Sequence, residues 1–136
     1  MRIAVSHLTR MDSGYICVAG LDPGSGQHIR PELANTRVPV RLLARNGGPF
    51  DIGNVVDVGP TQALGRSPEV EDQRCYERNF VSLPALKGGA FWNLLSSQTK
   101  CDLLAIFGQR MSAQIEAAFG KLTPDLSTAP ASPEPG

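Results

Sequence analysis

Apolar and polar residues alternate along residues 2–7, with Ile3, Val5 and His7 on one side. This period of two predicts a first β-strand. After a short turn at Asp12-Ser13-Gly14, residues 15–21 are rich in the types that favour strands. They predict a second strand that follows the first directly.

Residues 22–27 have the composition of a tight turn, with one proline to fix φ and two glycines to accept positive φ. A third strand, residues 28–31, should therefore return antiparallel to the second. The predicted pairs are Leu21 with His28, Gly20 with Ile29 and Ala19 with Arg30. The alternation then assigns Ile16, Val18, Gly20 and Ile29 to the core side, and Cys17, Ala19, Leu21, His28 and Arg30 to the other side.

Downstream segments predict a short helix, two further strands and then helices. The helix covers residues 39–45, with Leu42 and Leu43 inward and glycines after its end. The strands cover residues 52–58 and 69–78, the second packing through Val70 and Tyr76. Helical patterns begin at residue 84, are interrupted at Gly88-Gly89, and include Phe91, Trp92, Leu94 and Leu95 as core residues, then residues 103–107 and 111–119.

This order predicts a mainly β protein with C-terminal helices, of the α+β class. Five short strands with a small helix before the fourth suit an OB-like curled β-barrel, and an ordinary α+β sheet is the alternative. Residues 123–136 contain four prolines among serine, threonine and alanine. That tail should be disordered and dispensable, and the folded domain should cover residues 1–122.

Charge and composition exclude only a few classes of function. The 136 residues carry no formal net charge, but the first 50 hold six arginines against three acidic residues. No apolar stretch approaches the roughly 20 residues that cross a bilayer, and no signal peptide is evident, so we expect a cytoplasmic protein without membrane contact. Cys17, Cys75 and Cys101 show no CxxC spacing, which favours reduced thiols.

Several short runs, taken in order and spacing, resemble the small bacterial proteins of the dual OB-containing domain family. They are Ser6–Met11, Ile16–Gly20, His28–Pro31, Gly47–Gly53, Val55–Asp57, Pro68–Asp72, Phe91-Trp92 and Ile106–Gly108. The resemblance covers about residues 1–110. It implies a fold of OB-like units and a role with nucleic acid or nucleotides in bacterial conflict or defence systems. The tail replaces the strands expected of a second OB-like unit, so that unit should be incomplete or absent.

The residues that we expect to bind nucleic acid or a nucleotide are His7, Arg10, His28 and Arg30, with electrostatic support from Arg41 and Arg45. Histidine and arginine on the strands of a curled sheet can contact phosphates and bases. Tyr15 is the only aromatic residue among the first 49, so few rings can stack on bases. The alternatives are a solvated face, an Arg30–Glu32 pair, and an interior position for His7.

Two other functions remain open. The 91–95 region or the 112–119 helix could dock a protein partner encoded nearby. Glu69, Glu71 and Asp57 could hold a metal ion in a phosphodiesterase, although a solvated acidic turn explains them more simply. No nucleophile elbow or phosphate-binding glycine loop occurs in the sequence. We therefore expect a binding protein rather than an enzyme, with no cofactor.

Overall fold

A computed structural model describes residues 1–65 and 70–99, all within one compact unit, Met1–Thr99. The described residues form seven strands, four short 3-10 turns and one α-helix. The elements are β1 Arg2–Arg10, β2 Ile16–Leu21, β3 His28–Leu33, β4 Val55–Asp57, β5 Gln62–Ala63, β6 Asp72–Cys75, β7 Val81–Leu83 and α1 Gly88–Ser97. The prediction of a mainly β protein, strands first and helix last, is confirmed for these residues.

The strands form one sheet in the order β5-β6-β3-β2-β1-β4-β7, curled into a half-barrel. Neighbouring strands are antiparallel except β3 and β6, which run parallel. The pairing of β1 with β2 contains an irregularity, because the register shifts between Val5 and His7, and such bulges bend a strand. A β-carbon on Gly20 would lie 2.1 Å from the Ala4 carbonyl oxygen, so only glycine permits this close approach.

The β2–β3 hairpin largely follows its predicted register. Gly20 pairs with Ile29 and Leu21 with His28, as expected. The predicted pair of Ala19 with Arg30 is not formed; Arg30 pairs with Asp72 of β6 instead, and its N–H donates to the Glu71 carbonyl at 2.9 Å. At that point β3 leaves β2 and joins β6.

The core lies inside the curl of the sheet. Its buried members are Ile3, Val5, Ile16, Val18, Ile29, Val38, Leu42, Phe50, Val56, Val58 and Cys75. Phe50 is fully buried and meets Phe80 edge to face, with ring centroids 5.4 Å apart. The core assignment of Ile16, Val18 and Ile29 is confirmed, whereas Leu21, assigned to the ligand side, is only 2% exposed.

The prediction of a helix at residues 39–45 is wrong. The segment forms two 3-10 turns, Val40–Leu42 and Ala44–Asn46, separated by an extended Leu43. Hydrogen bonds to Phe50 hold it open: the Ala44 N–H donates to the Phe50 carbonyl at 2.8 Å, and the Phe50 N–H donates to the Leu42 carbonyl at 3.0 Å. These bonds, between residues six and eight positions apart, replace those that would continue an α-helix.

The later strands are shorter than predicted. The fourth covers only Val55–Asp57 and the fifth predicted strand only Asp72–Cys75, while β5 and β7 were not predicted. Val70 and Tyr76 are 64% and 42% exposed, so their assignment as packing residues is wrong. Cys75 fills the core position instead.

Helix α1 begins at Gly88, where an interruption was predicted, and buries none of its residues. Trp92 is 68% exposed, which contradicts its assignment to the core. The helices predicted at 103–107 and 111–119, Cys101, and the tail at 123–136 lie outside the described residues. Among those described, no helix has the length and apolar character needed to span a membrane.

Candidate functional site

His7 and His28, the two histidines predicted to contact a ligand, lie on β1 and β3, the strands that flank β2. His7 pairs with Ala19 and His28 pairs with Leu21, so both share one face of β2. Both side chains are exposed, and His7 Nδ1 lies 2.8 Å from the Ser6 hydroxyl. We predicted that β1 brings both His7 and Arg10 near the face of His28. The register confirms this for His7, but Arg10 pairs with the core residue Ile16, so the prediction for Arg10 is wrong. The alternative of an interior His7 is also wrong.

Arg30 lies on β3 directly beside Asp72 of β6, and their side chains form a two-pronged ion pair. Arg30 Nε donates to Asp72 Oδ1 at 2.5 Å and Nη2 donates to Oδ2 at 2.9 Å. Glu32 lies farther away, with its Oε1 3.8 Å from Nε. The side chains of Arg30 and Asp72 are only 26% and 13% exposed. This pair joins the two strands and occupies the fork of Arg30.

Arg41, at the first 3-10 turn of the 39–46 segment, forms a second two-pronged pair with Glu77. Its Nη2 donates to Glu77 Oε2 at 2.6 Å, and the Arg41 hydrogen bonds lower the pKa of Glu77 below its usual value. The pair borders a polar pocket of about 470 Å³ that also contains Asn46 and Ser82. The charge of Arg41 is therefore balanced where it lies.

Arg10 and Arg45 meet at a different place. Both line a pocket of about 200 Å³, which we call the Arg10–Arg45 pocket. Its other lining residues are Leu8, Thr9, Ile16, Leu43, Ala44, Phe50 and Asp51. Both arginines are exposed, and neither forms an ion pair with any residue in 1–65 or 70–99. Two guanidinium groups without an acidic partner among the described residues thus border a pocket that is lined by both apolar and polar side chains.

Local backbone structure brings these two arginines together. Arg10 ends β1 and pairs with Ile16 at the start of β2. Arg45 lies in the second 3-10 turn, which Gly47 closes at a φ of 89°, a conformation that favours glycine. Leu43 and Phe50, which pair in an isolated bridge, line the same pocket. The pocket therefore lies where the β1–β2 turn faces the 39–50 segment.

A neighbouring pocket of about 240 Å³ shares Ile16 with the Arg10–Arg45 pocket. It is lined by Arg30, Glu32 and an exposed arginine that was not predicted as a site residue, Arg37. Arg37 precedes the buried Val38, and nothing in the local sequence distinguishes it from other surface arginines. Only the folded structure shows that Arg37 lines this pocket.

The acidic residues considered for a metal site are used otherwise. Asp57 accepts a hydrogen bond from the Gly59 N–H at 2.8 Å and lies 3.3 Å from the terminal ammonium of Met1. Both contacts lower the pKa of Asp57. Within the described part of the chain, no cluster of three metal-ligating side chains occurs, and Glu69 lies outside that part.

The cysteines differ in their environments. Cys75 is buried, and burial, followed by the nearby Glu32 charge, raises the pKa of its thiol to about 11. A thiol with that pKa stays protonated near neutral pH, which makes it a poor nucleophile. Cys17 is half-buried and lines the pocket that contains Arg37. Both thiols are free, as expected for these two residues.

Fold and pocket together define a mainly β half-barrel with an arginine-bordered pocket. No protein-family model, no curated protein sequence and no solved structure matches this chain.

Proposed function

We propose that this protein is a non-enzymatic module that binds single-stranded nucleic acid or a nucleotide at the Arg10–Arg45 pocket. The observation that carries the proposal is the shared placement of Arg10 and Arg45, exposed and without an acidic partner among the described residues. A planar guanidinium donates two parallel hydrogen bonds to a phosphate, so this pair favours a phosphate-bearing ligand.

The apolar wall of the pocket supports a ligand that also carries a flat, apolar part. Ile16, Leu43 and Phe50 supply that wall. At about 200 Å³, the pocket is smaller than the roughly 300 Å³ at which sites for whole small molecules begin. We therefore propose that it holds one base or phosphate while the rest of the ligand lies over the surface.

We also propose that the curled half-barrel is an OB-like fold. A curled sheet of short strands is consistent with an OB-like barrel, in which strands and adjoining loops contact oligonucleotides. His7 and His28 are exposed and remain candidate contacts, whereas Arg30 and Arg41 act through their ion pairs. A place in a bacterial conflict or defence system stays a hypothesis based on the family resemblance alone.

The test measures binding of a labelled single-stranded oligonucleotide to the full chain at about 50 mM salt and at increasing salt. Arg10→Gln combined with Arg45→Gln should weaken binding at least about tenfold, because each removes a charge-assisted contact. The slope of log affinity against log salt should fall by about 0.7 for each lost phosphate contact on a single strand.

Arg74→Gln is the matched control, because Arg74 is exposed, lies on β6 and lines none of the pockets described above. It removes one positive charge, as Arg10→Gln or Arg45→Gln does alone, and should leave affinity nearly unchanged where each of those single variants weakens it. Absence of binding by the unmodified protein, or an equal loss in the control, would contradict the proposal.

A second candidate function, docking of a protein partner, is favoured by one observation. Trp92 is 68% exposed on α1, a helix that buries none of its residues although it carries Phe91, Leu94 and Leu95 as well. It is the chain's single tryptophan, so its fluorescence reports directly on that position. Efficient quenching by acrylamide in the full chain would support an available surface, whereas a protected, blue-shifted emission would remove the basis for docking there.

A further inference from the structure

We infer that Asp51 makes the Arg10–Arg45 pocket selective for guanine, an inference that rests on the proposed function. Asp51 lines the same pocket as both arginines, yet it forms no ion pair with either of them. A carboxylate repels a phosphate, so it is unfavourable in a pocket for phosphate alone. Its presence is explained if the ligand also offers hydrogen-bond donors.

The backbone holds Asp51 in a defined position. Its Oδ1 accepts a hydrogen bond from the Ile52 N–H at 2.8 Å, and its carbonyl accepts one from the Asn54 N–H at 3.0 Å. The Gly53 N–H donates to the Val5 carbonyl at 2.8 Å, which anchors this loop to β1. An ionised carboxylate has about four acceptor sites, so both oxygens can still accept from a ligand.

Among the common bases, guanine matches such a carboxylate best. Its Watson–Crick edge places the N1–H and the 2-amino group side by side, so two donors meet the two oxygens. Adenine and cytosine present an amino group beside an acceptor nitrogen, and thymine and uracil present one N–H between two carbonyls. One of the two arginines can complement the other edge of guanine, where O6 and N7 are acceptors, and the second then remains for a phosphate. The pocket's mixture of charges thus fits guanine rather than phosphate alone.

The experiment uses the full chain and a short thymidine oligonucleotide with one central guanine, hypoxanthine or adenine. The guanine strand should bind about fivefold or more tightly than the adenine strand. Hypoxanthine lacks the 2-amino group and should fall between them. GMP and AMP, tested as competitors, distinguish a free nucleotide from a strand as the source of the base, and the guanine preference is expected in either case.

Asp51→Ala should abolish the preference for guanine while leaving the affinity for the adenine strand equal or higher, because a negative charge near the phosphate is lost. Asp51→Asn keeps the size of the side chain and should reduce the preference as well. Asp51 is exposed, so thermal denaturation should show both variants folded.

Two failures can be distinguished. If all strands bind equally and binding still requires Arg10 and Arg45, the guanine inference fails and the proposed function stands. If no strand and no nucleotide binds, the proposed function fails, and the inference fails with it. A guanine preference that survives in Asp51→Ala overturns the role of Asp51.

Discussion

Two pairs of arginines in this half-barrel have opposite environments. Arg30 forms a bidentate ion pair with Asp72, and Arg41 forms one with Glu77. Arg10 and Arg45 line one pocket and have no such partner among the described residues. Whether an arginine stabilises the fold or stays accessible to a ligand therefore depends on the acidic residues that the fold places beside it.

The paired arginines are structural because their partners come from distant segments. Asp72 lies 42 residues after Arg30 and reaches it through the parallel pairing of β3 with β6. Glu77 lies 36 residues after Arg41. Each pair connects an early segment of the chain to the region around β6. We therefore expect substitutions at the two pairs to alter stability first and binding only indirectly.

The largest expected effect on stability follows the loss of Arg30. Arg30→Ala leaves the half-buried Asp72 carboxylate without its main partner, and we expect the unfolding free energy to fall by about 2 kcal/mol. For a unit of this size, that corresponds to a fall in Tm of roughly 8 °C or more. Thermal denaturation followed by circular dichroism measures it.

Asp72→Asn is the complementary variant and should destabilise the protein in the same direction. In a double-mutant cycle the two changes should be clearly non-additive, because they remove one shared interaction. Additive effects, or an Arg30→Ala variant as stable as the parent, would show that this ion pair does not hold β3 to β6.

A smaller effect is expected for Arg41→Ala, because its pair with Glu77 is more exposed and is screened by salt. The contribution should also depend on pH. Arg41 lowers the pKa of Glu77 from its usual 4.5, so the stabilisation is complete above pH 4.5 and declines as pH falls through the lowered value. Denaturation of parent and variant across this range should show their stabilities converging in acid. A constant difference would exclude the Glu77 pair as its cause.

Sequence patterns could predict the local part of this fold. The β2–β3 register followed from six turn residues and from alternation on both sides, which are short-range signals. The path of residues 39–50 could not be predicted, because hydrogen bonds to Phe50 replaced the expected helix. The exposed Trp92 also escaped prediction, since a run of apolar residues on a helix does not reveal what covers it.

The candidate site was predicted only in part for the same reason. Arg10 and Arg45 were both expected to take part, Arg10 as a contact on the face of His28 and Arg30, and Arg45 as electrostatic support. They became one site because contacts at both ends attach the 39–50 segment to β1 and β2: the Tyr15–Pro39 bridge at one end and the hydrogen bond from the Gly53 N–H to the Val5 carbonyl at the other. Asp51 was not predicted, since its proximity to Arg10 and Arg45 depends on the same contacts. The sequence could predict which residue types would bind a ligand. It could not predict which of these residues would share a pocket, because that depends on contacts between distant segments of the chain.

The smallest effect on stability, and the sharpest test of the comparison, is expected at Arg10 and Arg45. Both arginines are exposed and form no ion pair among the described residues, so removing one should leave the unfolding free energy unchanged within about 0.5 kcal/mol. Chemical denaturation of Arg10→Gln and Arg45→Gln, measured beside Arg30→Ala, provides the comparison. A loss as large as that of Arg30→Ala would mean that these arginines also hold the fold together, and their loss of ligand affinity would then need to be separated from unfolding.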